Sequence, residues 1–478
     1  MRIKSRRFQL FFISLMLFVL VFTTGCVSST TTTAVQSYKP VTLVYWRTWD
    51  DEDVFSDVIK AYKAQHPNVT IEYRKFRYEE YEKALLEAFA QDRGPDLFSI
   101  HNTWMRRYEP MMLELPAKTV TPVKRITGTI KKVEVIEQVT KNSLTPTDMR
   151  RKFLEVVAQD MIFNKNVGTA QKPQYQEKVW GLPLSVDTLV MYYNKDILNN
   201  AGIVEPATTW TEFRDQVKSM TKVDPATGTI QISGAAIGTA DNVARSSDIL
   251  SLLMMQNLAP MLDDNGNASF DKRPRELAGT EIAPAQGALE FYTQFASPLY
   301  EGYSWNNEMP NSLDAFTKGQ VGYFFGYSYN RDTIIASAPK LRFNIAPVPQ
   351  VGEQQKVNFA NYWAEVVSKK TKNKDFAWDF LQFITDEANV SKYLDKAKKP
   401  TALRSAKIIN EQLADENLAV FADQLLTARS WYRGFDSNGA EKVFGEMINA
   451  VLKGELTPAK SIQQAVDKIN IAIRRRPL

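Results

Sequence analysis

Residues 41–100, VTLVYWRTWDDEDVFSDVIKAYKAQHPNVTIEYRKFRYEEYEKALLEAFAQDRGPDLFSI, carry the pattern that decides the fold. Val41–Trp46 is apolar and β-branched and reads as a buried strand. Asp50, Asp51 and Asp53 offer N-cap chemistry. Val54, Phe55, Val58, Ile59 and Tyr62 follow at helical spacing, and Pro67 ends that helix. Val69, Ile71 and Tyr73 alternate as a second strand. Tyr78–Gln91 is spaced as a second helix, Gly94-Pro95 stops it, and Asp96–Ile100 reads as a third strand. This order opens a parallel sheet covered by helices. In such sheets a ligand lies beyond the carboxyl ends of the strands. Those ends deliver Trp46, Trp49 and Asp50 from the first strand, and His101, Asn102 and Trp104 from the third.

Upstream, Arg2, Lys4, Arg6 and Arg7 precede an apolar run from Phe8 to Phe22, broken only by Gln9 and Ser14. A membrane span needs ~20 apolar residues, so 1–25 reads as an export signal. Cys26, the single cysteine, follows Thr24-Gly25. That arrangement resembles the lipobox of bacterial lipoproteins, whose cysteine is lipidated and becomes the first residue. Thr23 departs from it, since the family usually has Leu there. An ordinary signal peptide with an incidental cysteine, or an uncleaved anchor, are the other readings. All three place the rest of the chain outside the cytoplasm. From 26 to 40 the lipidated cysteine is followed by VSSTTTTAVQSYKP, a stretch too polar to build a core, which reads as a flexible tether.

The remaining chain is too long for one core and suits two lobes. With 44% hydrophobic and 24% charged residues it has a soluble globular composition. The formal charge of +5 falls to about +1 without the four leader cations, and the Lys and Arg residues are dispersed, so no nucleic-acid partner is indicated. With Cys26 lipidated no internal disulfide is possible.

Further along, Tyr192–Gly202 reads as a strand end, a short helix and a glycine cap, and Trp210–Met220 as a helix started by Thr209 or Thr211. Asp224–Gly228 and Asp264–Gly266 are turns, and Ala283–Ala296 and Asp375–Thr385 are amphipathic helices. Residues 117–160 alternate basic and β-branched stretches with turn residues and yield no assignment.

Several segments carry a family resemblance: VWGLPLSVDTLVMYYNKDILNNAG at 179–202, Thr209-Trp210-Thr211-Glu212-Phe213, and Gly94-Pro95-Asp96-Leu97. Phe316 with Gly319 ahead of Tyr323–Tyr329, then Pro347 and Pro349, Trp363, and Lys372–Phe380 complete the series. In that order they resemble the extracellular solute-binding proteins of family 1, which serve ABC importers. The resemblance implies an α/β, two-lobe periplasmic-binding-protein-like fold of type II, maltose-binding-protein-like, hinged around a ligand cleft. The first lobe would hold 41–185 with 355–398 and the second 189–350 with 405–478. Crossings would fall at Ser185–Thr188, Gln350–Lys356 and Lys399–Arg404. It also implies permease subunits as partners, a monomer, attachment to the membrane through the Cys26 lipid, and no cofactor.

The chain has 9 Trp, 19 Tyr and 26 Phe, enough for a core and for a site that takes the apolar faces of a sugar. The candidate ligand contacts are Trp46, Trp49, Asp50, Trp104, Asp187, Tyr327, Tyr329, Trp363, Trp431 and Tyr432. Trp46 fits the core as well as a ligand, Asp50 fits a helix cap, and Trp104 fits a seal on its lobe. At least one of Tyr327 and Tyr329 should face the cleft. Asp187, on the crossing, fits a ligand contact or a hinge brace. The Trp431-Tyr432 pair resembles the family's sugar-stacking aromatics. Tyr303 and Trp305 fit packing.

Chemistry is poorly furnished. His66 and His101 are the only histidines, and with a single cysteine they assemble neither a zinc site nor a Cys–His pair. There is no G-x-S-x-G elbow, no G-x-G-x-x-G and no P-loop. Asp263-x-Asn265-x-Asn267 has its glycine at the wrong place for a calcium loop. A binder without turnover is the leading expectation. A glycosidase, which needs two spaced carboxylates, and an adhesive surface lipoprotein are the alternatives.

Overall fold

The computed structural model describes residues 38–129, 131–352 and 356–474. The expected leader, Cys26 and the tether up to residue 37 lie outside the described residues. The opening order is β1 (Val41–Arg47), α1 (Glu52–Gln65), β2 (Val69–Lys75), α2 (Tyr78–Ala90) and β3 (Leu97–His101). β1 pairs in parallel with β2 from Val41↔Val69 to Arg47↔Lys75, and with β3 at Tyr45↔Leu97. α1 lays Phe55, Val58 and Tyr62 on this sheet, and α2 lays Tyr81, Leu85 and Phe89 on it. Asp51 takes the N-cap position of α1, but its side chain makes no cap bond and pairs with Lys75 at 2.8 Å instead. β3 continues the sheet antiparallel to Trp363–Ser368.

In the second lobe, Val190–Asn194 lies between Val321–Gly326 and Phe343–Ala346, antiparallel to both. Ile230–Ala235 adds on in parallel and Lys222–Val223 closes that edge. The helix Trp210–Met220 is started by Thr209: its hydroxyl accepts the Glu212 N–H at 3.2 Å, and Glu212 reaches back to the Thr209 N–H.

Buried apolar side chains separate into two cores. The chain passes from the first to the second between Val186 and Leu189 and returns between Phe359 and Ala360. It passes over again between Ala428 and Trp431. These passages lie side by side as a small sheet of Asp187–Thr188, Asn358–Asn361 and Ala428–Arg429. The second and third passages fall later than Gln350–Lys356 and Lys399–Arg404. For the third the reason is hydrogen bonding: Pro400 and Ala402 carbonyls accept the N–H groups of Val186 (3.2 Å) and Leu154 (3.0 Å), and the Arg404 N–H donates to Lys152 (2.8 Å). Residues 399–404 therefore stay on the first lobe, and Ile408, Ala422 and Leu425 bury in its core, while Phe421 among them reaches into the second.

The unassigned 117–160 stretch contains a long hairpin, Lys118–Thr127 against Val133–Asn142, followed by helices Pro146–Lys152 and Glu155–Met161. Its base is docked: the Val120 N–H donates to Asp375 at 3.1 Å, and Lys141 pairs with Asp379 at 2.9 Å. Beyond it, every described residue from Lys124 to Glu134 is exposed. Gly128 (φ +96°) makes the turn, where a Cβ would stand 2.2 Å from the Lys131 carbonyl oxygen. Among the described residues no helix is long and apolar enough to cross a membrane.

Candidate functional site

A cavity of about 450 Å³ opens between the lobes. Trp49, Asp50, Tyr78, Trp104 and Trp363 line it from the first lobe. Arg245, Ser328, Tyr329, Arg331 and Glu441 line it from the second, and Asp187 from the crossing. Just past β1, Trp49 takes a left-handed backbone (φ +72°), which residues other than glycine avoid. Trp49 is 43% exposed. One face meets Tyr78 at 5.4 Å and 26°; Tyr329 lies at 5.6 Å and 19°. Tyr329 stacks in turn on Tyr327 at 6.0 Å and 23°. Four rings thus run from lobe to lobe.

Beneath Trp49 lies a charged lattice. Buried Arg47 pairs with Asp50 (3.1 Å) and with fully buried Glu365 (3.2 Å), which also accepts the Tyr45 hydroxyl (2.6 Å). Asp50 further accepts Lys399 (2.6 Å) and the Tyr393 hydroxyl (3.0 Å). Burial pushes the Asp50 carboxyl up, but Arg47 and Lys399 outweigh it and hold the group below its ordinary value. Burial dominates at Glu365 and raises it. Asp50 therefore lines the cleft with both oxygens already engaged.

Asp187 accepts the Ser328 N–H (3.0 Å) and hydroxyl (2.6 Å), so it stitches the crossing to the second lobe. Burial pushes its pKa up to about 6 in spite of these bonds. His101 shares hydrogen bonds with Thr103 (2.7 Å) and Asn361 (3.1 Å). Burial, helped by Arg245, lowers its pKa to about 4, which leaves a neutral imidazole at pH 7.

The structure brings Trp49, Asp50, Trp104, Asp187, Tyr329 and Trp363 together in this cleft. Trp104 and Trp363 meet edge to face at 5.4 Å. Trp46 and Tyr327 depart from the expected ligand contact. Trp46 points to the other side of β1, buried against Phe76 at 4.5 Å. Tyr327 is fully buried and donates its hydroxyl to Asp248 at 2.6 Å, so only Tyr329 of the pair meets the cleft. Trp431 and Tyr432 line a smaller inner cavity of about 40 Å³. The Trp431 N–H donates to Ser251 (3.0 Å), and the Tyr432 hydroxyl accepts the Asp436 N–H (3.0 Å). Trp305 is buried in the second core, and Tyr303 accepts from Asn306 at 2.7 Å.

Tyr78, Arg245 and Glu441 were not singled out. Tyr78 opens α2 beyond the carboxyl end of β2, so the strand-end rule would have found it. Arg245 holds Asp248 in a fork (2.8 and 2.9 Å) and lies 3.6 Å from Glu441; only tertiary packing unites these three. Of the cations that line the cleft, Arg47, Arg245, Arg331, Lys396 and Lys399 each pair with a carboxylate, and Lys398 pairs with none among the described residues. Among the described residues, no group of three or more His, Cys, Asp or Glu could hold a metal ion.

Residues 48–391 match the family model described as bacterial extracellular solute-binding protein. A Brucella abortus protein described as a binding protein is 21% identical over 426 residues, 85% of this chain and 89% of that one. The maltodextrin-binding protein of Bacillus subtilis is 28% identical over 253 residues, 51% of this chain and 55% of that one. Among solved structures, the cyclic alpha-maltosyl-1,6-maltose binding protein of Arthrobacter globiformis superimposes with a TM-score of 0.66 at 18% identity, covering 91% of this chain and 99% of that one. That last likeness concerns the fold. With most of its length matched in order, the chain belongs to the bacterial extracellular solute-binding protein family.

Proposed function

We propose that this protein captures a neutral sugar or oligosaccharide by closing its lobes and delivers it, unchanged, to the permease subunits of an ABC importer. The observation that carries the reading is the run of aromatic faces, Tyr78, Trp49 and Tyr329, beside Trp363 and polar groups in one cleft. Flat rings take the C–H faces of a sugar while polar groups take its hydroxyls. Five of the six lysine and arginine side chains that line the cleft are already paired, which favours a ligand without net charge, because a charged one would compete with existing ion pairs. Relatives named for maltodextrin and galactooligosaccharide binding support the sugar class. Binding would shift the ensemble toward a closed form that the importer reads. The protein would act as a monomer, exported by its leader and held at the outer face of the membrane by lipid on Cys26, with the polar tether giving it reach.

A panel of neutral oligosaccharides titrated against tryptophan fluorescence tests the sugar assignment, with product analysis run alongside. A saturable change with no product is expected. A flat response to every sugar, or turnover of one, overturns it. Radiolabelled fatty acid should enter the wild type and not Cys26→Ser.

A further inference from the structure

The cleft adjoins further space. Thr103 lines the cleft, the inner cavity and a third cavity of about 200 Å³, and Asn102 lines the last two. Arg106, Asp160, Phe163, Asn164 and Arg433 line this side cavity. The Arg106 guanidinium lies 4.0 Å from the Phe163 ring centroid, and Phe163 stacks on Trp180 at 4.7 Å and 3°. The Trp180 N–H donates to the Phe163 carbonyl at 3.2 Å and locks that column. Arg106 already directs one N–H edge at Glu109 (3.5 Å), and a flat guanidinium seated on a ring keeps its remaining N–H groups available to oxygen acceptors.

Asn102 supplies the second observation. It is 5% exposed, and its amide nitrogen donates to Asp160 at 3.1 Å. A carboxylate only accepts, so this bond fixes which way the amide lies. The amide oxygen is then left with no donor among the described residues. Buried acceptors are normally satisfied, and a ligand hydroxyl is the kind of donor this one lacks. Asp160 also pairs with Arg433 at 3.1 Å, and Glu177, which lines the cavity too, pairs with Arg150 at 2.5 Å, so the charges of this cavity are paired.

We propose that the side cavity is a second sugar subsite. A chain whose first ring lies against Trp49 and Trp363 passes Thr103 and sets a further ring against Arg106 and Asn102. This rests on the sugar reading above and narrows it to oligosaccharides long enough to leave the cleft.

Calorimetry of the full-length protein with a homologous series of neutral oligosaccharides, from one ring to six, tests it. Affinity should rise about tenfold once the chain is long enough to reach Arg106. Arg106→Ala should abolish that gain. So should Asn164→Trp, a change at an exposed position that fills the cavity without disturbing the core. Both variants should bind the shortest ligands as the wild type does. The subsite fails if short sugars bind but length brings no gain, if the gain survives both variants, or if all lengths weaken equally. A protein that binds no sugar at all overturns the underlying reading and this one with it.

Discussion

Trp49 of the first lobe and Tyr329 of the second lie face to face, ring centroids 5.6 Å apart and 19° from parallel. The two stand on different lobes, so the stack exists only while the lobes stand close. It favours a narrow cleft, and a ligand ring must either displace one partner or settle beside them.

Removing either ring should weaken capture. Aromatic pairs contribute about 0.5–1.5 kcal/mol beyond area burial, so Trp49→Ala and Tyr329→Ala should each raise the Kd by about three- to tenfold. A double-mutant cycle should show coupling of the same size. Both rings are partly exposed, so thermal midpoints should barely move. Fluorescence titration and scanning calorimetry would read the two effects separately, and additive losses would mean the stack does not link the lobes.

Glu365→Ala should act on stability. It leaves Arg47 buried with Asp50 alone and strips the Tyr45 hydroxyl of its acceptor. Breaking a buried pair from one side costs about 3–5 kcal/mol. Urea unfolding of the variant should show that loss in its midpoint.

Acidity should act through two groups of opposite sign. Asp187 has a folded pKa raised from 3.8 to about 6. Its contribution is therefore fully present below 3.8 and is lost as pH rises through about 6. His101 is lowered from 6.5 to about 4, so its contribution is present above 6.5 and is lost as pH falls toward 4. Asp187→Asn should remove the first trend and His101→Gln the second. Thermal midpoints from pH 3.5 to 7.5 would show them; two profiles parallel to wild type would refute both assignments.

Shortening the hairpin should cost almost nothing. Replacing 124–134 by a two-residue turn deletes, among the described residues, only exposed side chains and leaves the contacts to Asp375 and Asp379 in place. The thermal midpoint should stay within about 2 °C and ligand affinity should not change. A larger fall would show that the outer arm touches the body in solution.

The opening of the chain was legible because burial on one side imposes a period. α1 shows Phe55, Val58 and Tyr62, and β1 carries buried Leu43 and Tyr45. The hairpin was not legible because solvent reaches both faces of its outer half, so its strands have no apolar side to alternate. Trp46 and Trp49 show the limit at the site. They are three positions apart, and only the left-handed turn at 49 sends one ring to the cleft while the other stays in the sheet. Tyr327 and Tyr329 divide the same way, because Asp248 claims the hydroxyl of the first. The late third passage could not be read locally either, since backbone bonds to 152–154 and 186 hold residues 399–404.

Three strands of chain, at 187–188, 358–361 and 428–429, tie the two bodies together. A protease that cuts any one of them leaves two continuous threads, so a singly nicked molecule does not come apart. Two further cuts are needed before the halves can diffuse away.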